Sequence, residues 1–122
     1  MTNHALSANE LKDVVLHALE ELKAQEVVTL DVKGKASFTD FMVIASGTSD
    51  RHLKAMANQV HIAAKAAGNP PLSTEGEDTR NWILVDLGDV VVHLMRPETR
   101  DLYEIEKLWR IGAPKRQSAA DN

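Results

Sequence analysis

Apolar residues return at helical spacing near the start of the chain, at Leu11, Val14, Val15, Ala18, Leu19 and Leu22. That spacing predicts an amphipathic helix over residues 9–23 with one buried stripe. Ser7-Ala8-Asn9-Glu10 gives it the Ser-x-x-Glu start of a capping box. The period then changes. Residues 27–32 (VVTLDV) read as a strand, Gly34 as a turn, and residues 41–46 (FMVIAS) as a strand buried on both faces, because the run is almost wholly apolar. A second helical stripe follows at Leu53, Met56, Ala57, Val60, Ala64 and Ala67, capped by Thr48 or Ser49 and ended by Gly68 and Asn69-Pro70-Pro71. Residues 72–74 fit a short edge strand, and residues 75–81 a charged loop. Pro97 opens a helical turn, and TRDLYEIEKLW reads as a last helix.

The stretch WILVDLGDVVVHLM, residues 82–95, is a hairpin turning at Gly88-Asp89. That turn sets Leu87 opposite Val90, Val85 opposite Val92 and Ile83 opposite Leu94. These six aliphatic residues share one face, which is core. The other face pairs Asp86 with Val91, Leu84 with His93 and Trp82 with Met95. Two covers fit it. Either the last helix folds back through Tyr103 and Trp109, or the face stays open to another protein, with an aromatic centre and a polar rim. A lone Asp86 carboxylate favours exposure at one end. The order α-β-β-α-(β)-β-β-α predicts an α/β single domain, a mixed β-sheet flanked by helices, over residues 1–110, with a loose tail over 111–122.

Composition narrows the function. The chain has 122 residues, no cysteine and a formal net charge of −4. Disulfides, thiolate metal sites and cysteine nucleophiles are excluded. The sequence has no long apolar run and no basic-then-apolar start, so the expected compartment is cytoplasmic, with no membrane contact. An acidic domain is poorly suited to nucleic acid, because phosphate contacts need clustered Lys and Arg.

Catalytic chemistry finds little support. SGTSDRH, residues 46–52, joins a buried strand to a helix start, where backbone N–H groups can hold an anion. It lacks both common phosphate-loop spacings, so an ordinary strand-to-helix turn is the better reading. Asp31, Asp86 and Asp89 could hold magnesium only if they converged. Here Asp89 reads as turn chemistry and Asp86 as an exposed polar position. His17 and His61 fall off their apolar stripes, and His52 reads as structural. No metal site, cofactor or catalytic residue is expected.

The stretches LDVKGKASFTDFMVIASGTSDRHLKAMANQV, EGEDTRNWILVDLGDVVVHLM and RDLYEIEKLW resemble the ribosomal silencing factor family, related to the plant Iojap protein, from Leu11 to Trp109. The resemblance implies a nucleotidyltransferase-like α/β fold without that class's catalytic carboxylates. It implies a translational repressor that binds the large ribosomal subunit through ribosomal protein uL14. Such a factor blocks joining with the small subunit and lowers translation when nutrients are scarce. It also favours the open face. Expected contact residues are Trp82, Leu84, Asp86, Val91, His93 and Met95, joined by Tyr103. The acidic charge fits a basic ribosomal protein and little contact with RNA. A divergent nucleotidyltransferase-like enzyme using Ser46-Gly47 with Asp31 and Asp86 is the alternative. A homodimer of the free protein through the Trp82 face is a third reading.

Overall fold

The computed structural model describes residues 6–78 and 81–103. Helix α1 spans Ala8–Glu21. Its capping box is complete: the Ser7 hydroxyl accepts from the Glu10 N–H at 3.1 Å, and the Glu10 carboxylate accepts from the Ser7 N–H at 2.9 Å. Leu11, Val15, Ala18 and Leu19 are its buried stripe. Strand β1 (Gln25–Asp31) begins two residues before its apolar run. A register irregularity between Gln25 and Val28, with Glu26 at a φ of 46°, accounts for the early start.

Strand β2 (Phe41–Ser46) is buried throughout, as its apolar run predicts. Helix α2 (Asp50–Ala66) is capped by Ser49, whose hydroxyl accepts from the His52 N–H at 3.1 Å. Short β3 (Ser73–Glu75) sits one residue later than its sequence pattern suggests. Strands β4 (Trp82–Asp86) and β5 (Val90–Met95) form the hairpin. Its register is the expected one: Trp82 opposite Met95, Ile83 opposite Leu94, Leu84 opposite His93, Val85 opposite Val92, Asp86 opposite Val91. Gly88 turns the chain at a φ of 91°, and the Leu87 N–H donates to the Val90 carbonyl at 2.9 Å. Helix α3 (Pro97–Tyr103) starts at the proline, two residues ahead of TRDLYEIEKLW. The rest of that predicted helix and the 111–122 tail lie outside the described residues.

The strands form one five-stranded sheet in the order β1-β2-β5-β4-β3. β2 and β5 pair in parallel and every other neighbouring pair is antiparallel, so the sheet is mixed. Helices α1 and α2 cover one face. There Phe41, Val43, Ala45, Ile83, Val85, Leu87, Val90, Val92 and Leu94 meet the two helical stripes. The six hairpin residues assigned to the core are all in it.

Gly76 follows β3 with a φ of 86°, and a Cβ there would run into the Trp82 carbonyl oxygen. Gly68 has nearly the same φ, 87°, but open space around it. Gly68→Ala therefore meets only the left-handed backbone penalty, about 1 kcal/mol. Gly76→Ala adds a backbone collision and is expected to lose roughly 2 kcal/mol or more. Paired urea melts check the difference, and equal losses would show that the chain relieves the collision freely.

Candidate functional site

The period of the strands sets the outer face of the sheet. Met42, Ile44 and Ser46 on β2 align with Val91, His93 and Met95 on β5, then with Asp86, Leu84 and Trp82 on β4. All six expected hairpin contacts therefore do share one face. They do not share one exposure. Trp82, Leu84 and Asp86 are half-buried, whereas Val91, His93 and Met95 are only 4, 6 and 0% exposed. In this conformation a partner cannot touch Met95, and the covered β5 residues lie beside the half-buried β4 ones on the same face.

Part of the cover is visible. Arg100 on α3 is buried, and its Nη1 donates to the Ser46 hydroxyl at 2.9 Å. Ser46 is aligned with Met95, so α3 returns over this end of the outer face. The expectation of a fully open face is corrected there: two apolar strands side by side leave too much outer surface to stay wet. The Tyr103 backbone ends α3, and its side chain lies outside the described residues.

Two contacts tie Trp82 to β5 beside it. Its indole Nε1 donates to Nδ1 of His93 at 3.1 Å. The two rings lie with centroids 5.9 Å apart at 48°, tilted rather than stacked. The bond was missed in the sequence, although the register contains it: Trp82 and His93 are diagonal neighbours on one face. Asp86, expected at an exposed polar position, is half-buried, and it accepts from the Gly88 N–H at 2.9 Å and braces the turn.

The residues of the enzyme alternative do not converge. Asp31 is in register with Phe41, on the helix-covered face, whereas Asp86 is on the outer face. They stand three strands apart, about 14 Å at ordinary strand spacing. One magnesium ion, with oxygens about 2 Å away, cannot join them. The possible anion-binding turn is also engaged. The Gly47 N–H donates to the Met95 carbonyl, and the Thr48 N–H donates to Nδ1 of His52 at 3.0 Å. Nε2 of His52 then meets the Leu22 carbonyl at 2.7 Å, which makes this histidine a staple to the end of α1. His61, off the apolar stripe of α2, is half-buried, and its Nε2 lies 2.6 Å from the Thr74 hydroxyl, linking α2 to β3.

Comparison with known proteins decides the family. The family model for "Ribosomal silencing factor during starvation" matches residues 5–122. The chain belongs to the ribosomal silencing factor family. The match extends past Trp109, where the motif resemblance stopped. The chain is 42% identical over 99 residues to ribosomal silencing factor RsfS of Haemophilus influenzae, covering 81% of this chain and 97% of that one. It is 39% identical over 102 residues to the mouse protein "Mitochondrial assembly of ribosomal large subunit protein 1", covering 81% of this chain and 45% of that longer one. A crystal structure of a Chromobacterium violaceum protein superimposes with a TM-score of 0.84 at 39% identity, covering 95% of each chain. Ribosomal silencing factors are regulatory by name, and membership assigns this chain to ribosome-associated regulation of translation.

In this silencing factor, burial lowers the His93 pKa from 6.5 to about 4. The unfolded chain therefore binds more protons than the folded one between those values, and stability falls as pH drops from 6.5 towards 4. The difference corresponds to roughly 3 kcal/mol at most. His93→Asn keeps an acceptor for Trp82 without a titrating ring, and is expected to flatten that part of the curve. Urea melts at intervals from pH 7.5 to 4.5 measure it. An unchanged slope would place the proton uptake elsewhere.

Proposed function

We propose that this chain is a non-catalytic repressor of translation. It binds the large ribosomal subunit through ribosomal protein uL14 and blocks joining with the small subunit by steric occlusion, lowering translation when nutrients are limiting. The observation that carries the reading is the family match over residues 5–122. The mouse relative's name supports the large subunit as the partner. A net charge of −4 suits a basic ribosomal protein better than RNA. The cytoplasm is the proposed compartment.

Trp82, Leu84 and Asp86 are the proposed contact strip, and Tyr103, the last residue of α3, is a further proposed contact. Val91, His93 and Met95 flank the strip on the neighbouring strand. Trp82 is the one large aromatic of the hairpin that is neither fully covered nor free, which is the condition of an interface anchor.

Sucrose-gradient sedimentation of purified subunits tests the function. The protein is expected to travel with large subunits and to reduce the joined peak. Sedimentation with small subunits alone, or an unchanged joined peak at saturating dose, would refute it. A heavier free protein that stops binding subunits as it self-associates would instead favour a homodimer on the same face.

Variants test the strip. Trp82→Ala is expected to weaken subunit binding by ~2 kcal/mol or more, roughly thirtyfold. It also leaves the His93 acceptor unpaired, so stability is expected to drop by about 1–3 kcal/mol. Truncation of a fully buried Trp loses about 3–5 kcal/mol. Val92→Ala, on the helix-covered face, is the control; it loses ~2 kcal/mol of stability and keeps binding. Binding that falls equally in both variants would mean that the strip acts only through stability.

A further inference from the structure

We propose that His93 is a positioning residue, which touches no partner itself and holds the Trp82 indole in the orientation presented to the ribosome. The inference rests on the docking role of the Trp82 strip proposed above. Three observations carry it. The bond is directional: the indole N–H can only donate, so Nδ1 of His93 must be the acceptor and its proton sits on Nε2. This fixes a neutral ring in one tautomer, which agrees with a pKa pushed down by burial. The ring is also enclosed. His93 stands on the central strand β5, is 6% exposed and lies directly opposite Leu84. It is a fixed post, not a contact residue.

The third observation concerns the other end of Trp82. Gly76 comes so close that any Cβ would strike the Trp82 carbonyl oxygen. The backbone of Trp82 is thus confined by one neighbour and its ring by another. A half-buried tryptophan without these holds would sample several rotamers and lose that freedom on docking. One held in place before the encounter loses less, and binds more tightly for the same contacts. The tilted 48° ring arrangement matters as well, because an edge-on bond leaves the indole face uncovered by His93. The hydrogen bond uses the polar edge of the indole rather than its apolar face.

A double-mutant cycle tests this, with His93→Leu removing the acceptor and Trp82→Phe removing the donor. His93→Leu in the otherwise native chain is expected to weaken binding to large subunits roughly three- to tenfold. In the Trp82→Phe background the same change is expected to have little further effect. His93→Asn, which places an acceptor near the Nδ1 position, is expected to restore most of the binding. The indole N–H resonance of Trp82, assigned by its loss in Trp82→Phe, gives an independent reading. It is expected to be sharp and slowly exchanging in the native chain, and broadened or rapidly exchanging in His93→Leu. Equal losses in both backgrounds, or no rescue by His93→Asn, would overturn the positioning role. Thermal melts accompany each variant; if His93→Leu does not fold, the Trp82→Phe and His93→Asn arms decide alone. A native chain that fails to bind large subunits refutes the partner assignment instead, and the resonance then decides the positioning role by itself.

Discussion

Strands β2 and β5 run side by side in parallel, and every residue of both is buried. A pair like that needs an apolar layer on each side. On the inner side α1 and α2 supply it. On the outer side Met42, Ile44, Val91 and Met95 are buried too. At about 1.5–3 kcal/mol for each such side chain, leaving that face in water would forfeit on the order of 6–12 kcal/mol. A domain of this size has a net stability of only about 5–15 kcal/mol. Cover on the outer face is therefore a condition of folding, and the Arg100–Ser46 bond shows α3 taking part in it. Because β5 holds the centre, β4 falls one place outside it. Its outer residues are left half-covered, and Trp82 stands on the boundary between covered and wet.

The inner face was legible because two local rules agree on it. A Gly-Asp turn fixes the hairpin register, and a period of two then sorts every side chain onto a face. The capping box and the two helical stripes are legible for the same reason: their partners lie within a turn or two along the chain. The outer face was harder. Residues 90–95, Val-Val-Val-His-Leu-Met, are as continuously apolar as residues 41–46. The rule that predicts double burial for β2 applies to β5 as well. Reading the segment as half of a hairpin, which suggests one wet face, hid that signal. The parallel pairing that makes the rule apply joins residues some fifty positions apart, and no local pattern encodes it.

The histidines divide in the same way. His17, with a side chain 72% exposed, is where its helical position puts it. His52 and His61 owe their places to the Leu22 carbonyl and the Thr74 hydroxyl, groups on other elements. How far apart the carboxylates of the enzyme alternative stand became visible only with the strand order. The hairpin register puts Asp86 on the outer side, but nothing along the chain says that Asp31 faces the helices.

Those long-range placements also determine what a half-covered surface can do. A wholly open apolar face would compete with its own need for cover, and would collapse or self-associate. A wholly closed one would offer a partner nothing. The sheet order avoids both. Its deepest outer residues, Ile44 and Met95, are sealed, and the β4 strip one strand away keeps some of its surface in water. One carboxylate oxygen of Asp86 is engaged by the Gly88 N–H, and the Trp82 indole N–H by His93. Binding there needs no new partner for the indole N–H and no desolvation of an unpaired donor, which would otherwise cost about 1–3 kcal/mol. Around Trp82 and Leu84 a partner meets apolar contact area with its geometry already set, which gives affinity without a matching polar penalty, while the Asp86 carboxylate at the far end of the strip keeps its charge for a basic group.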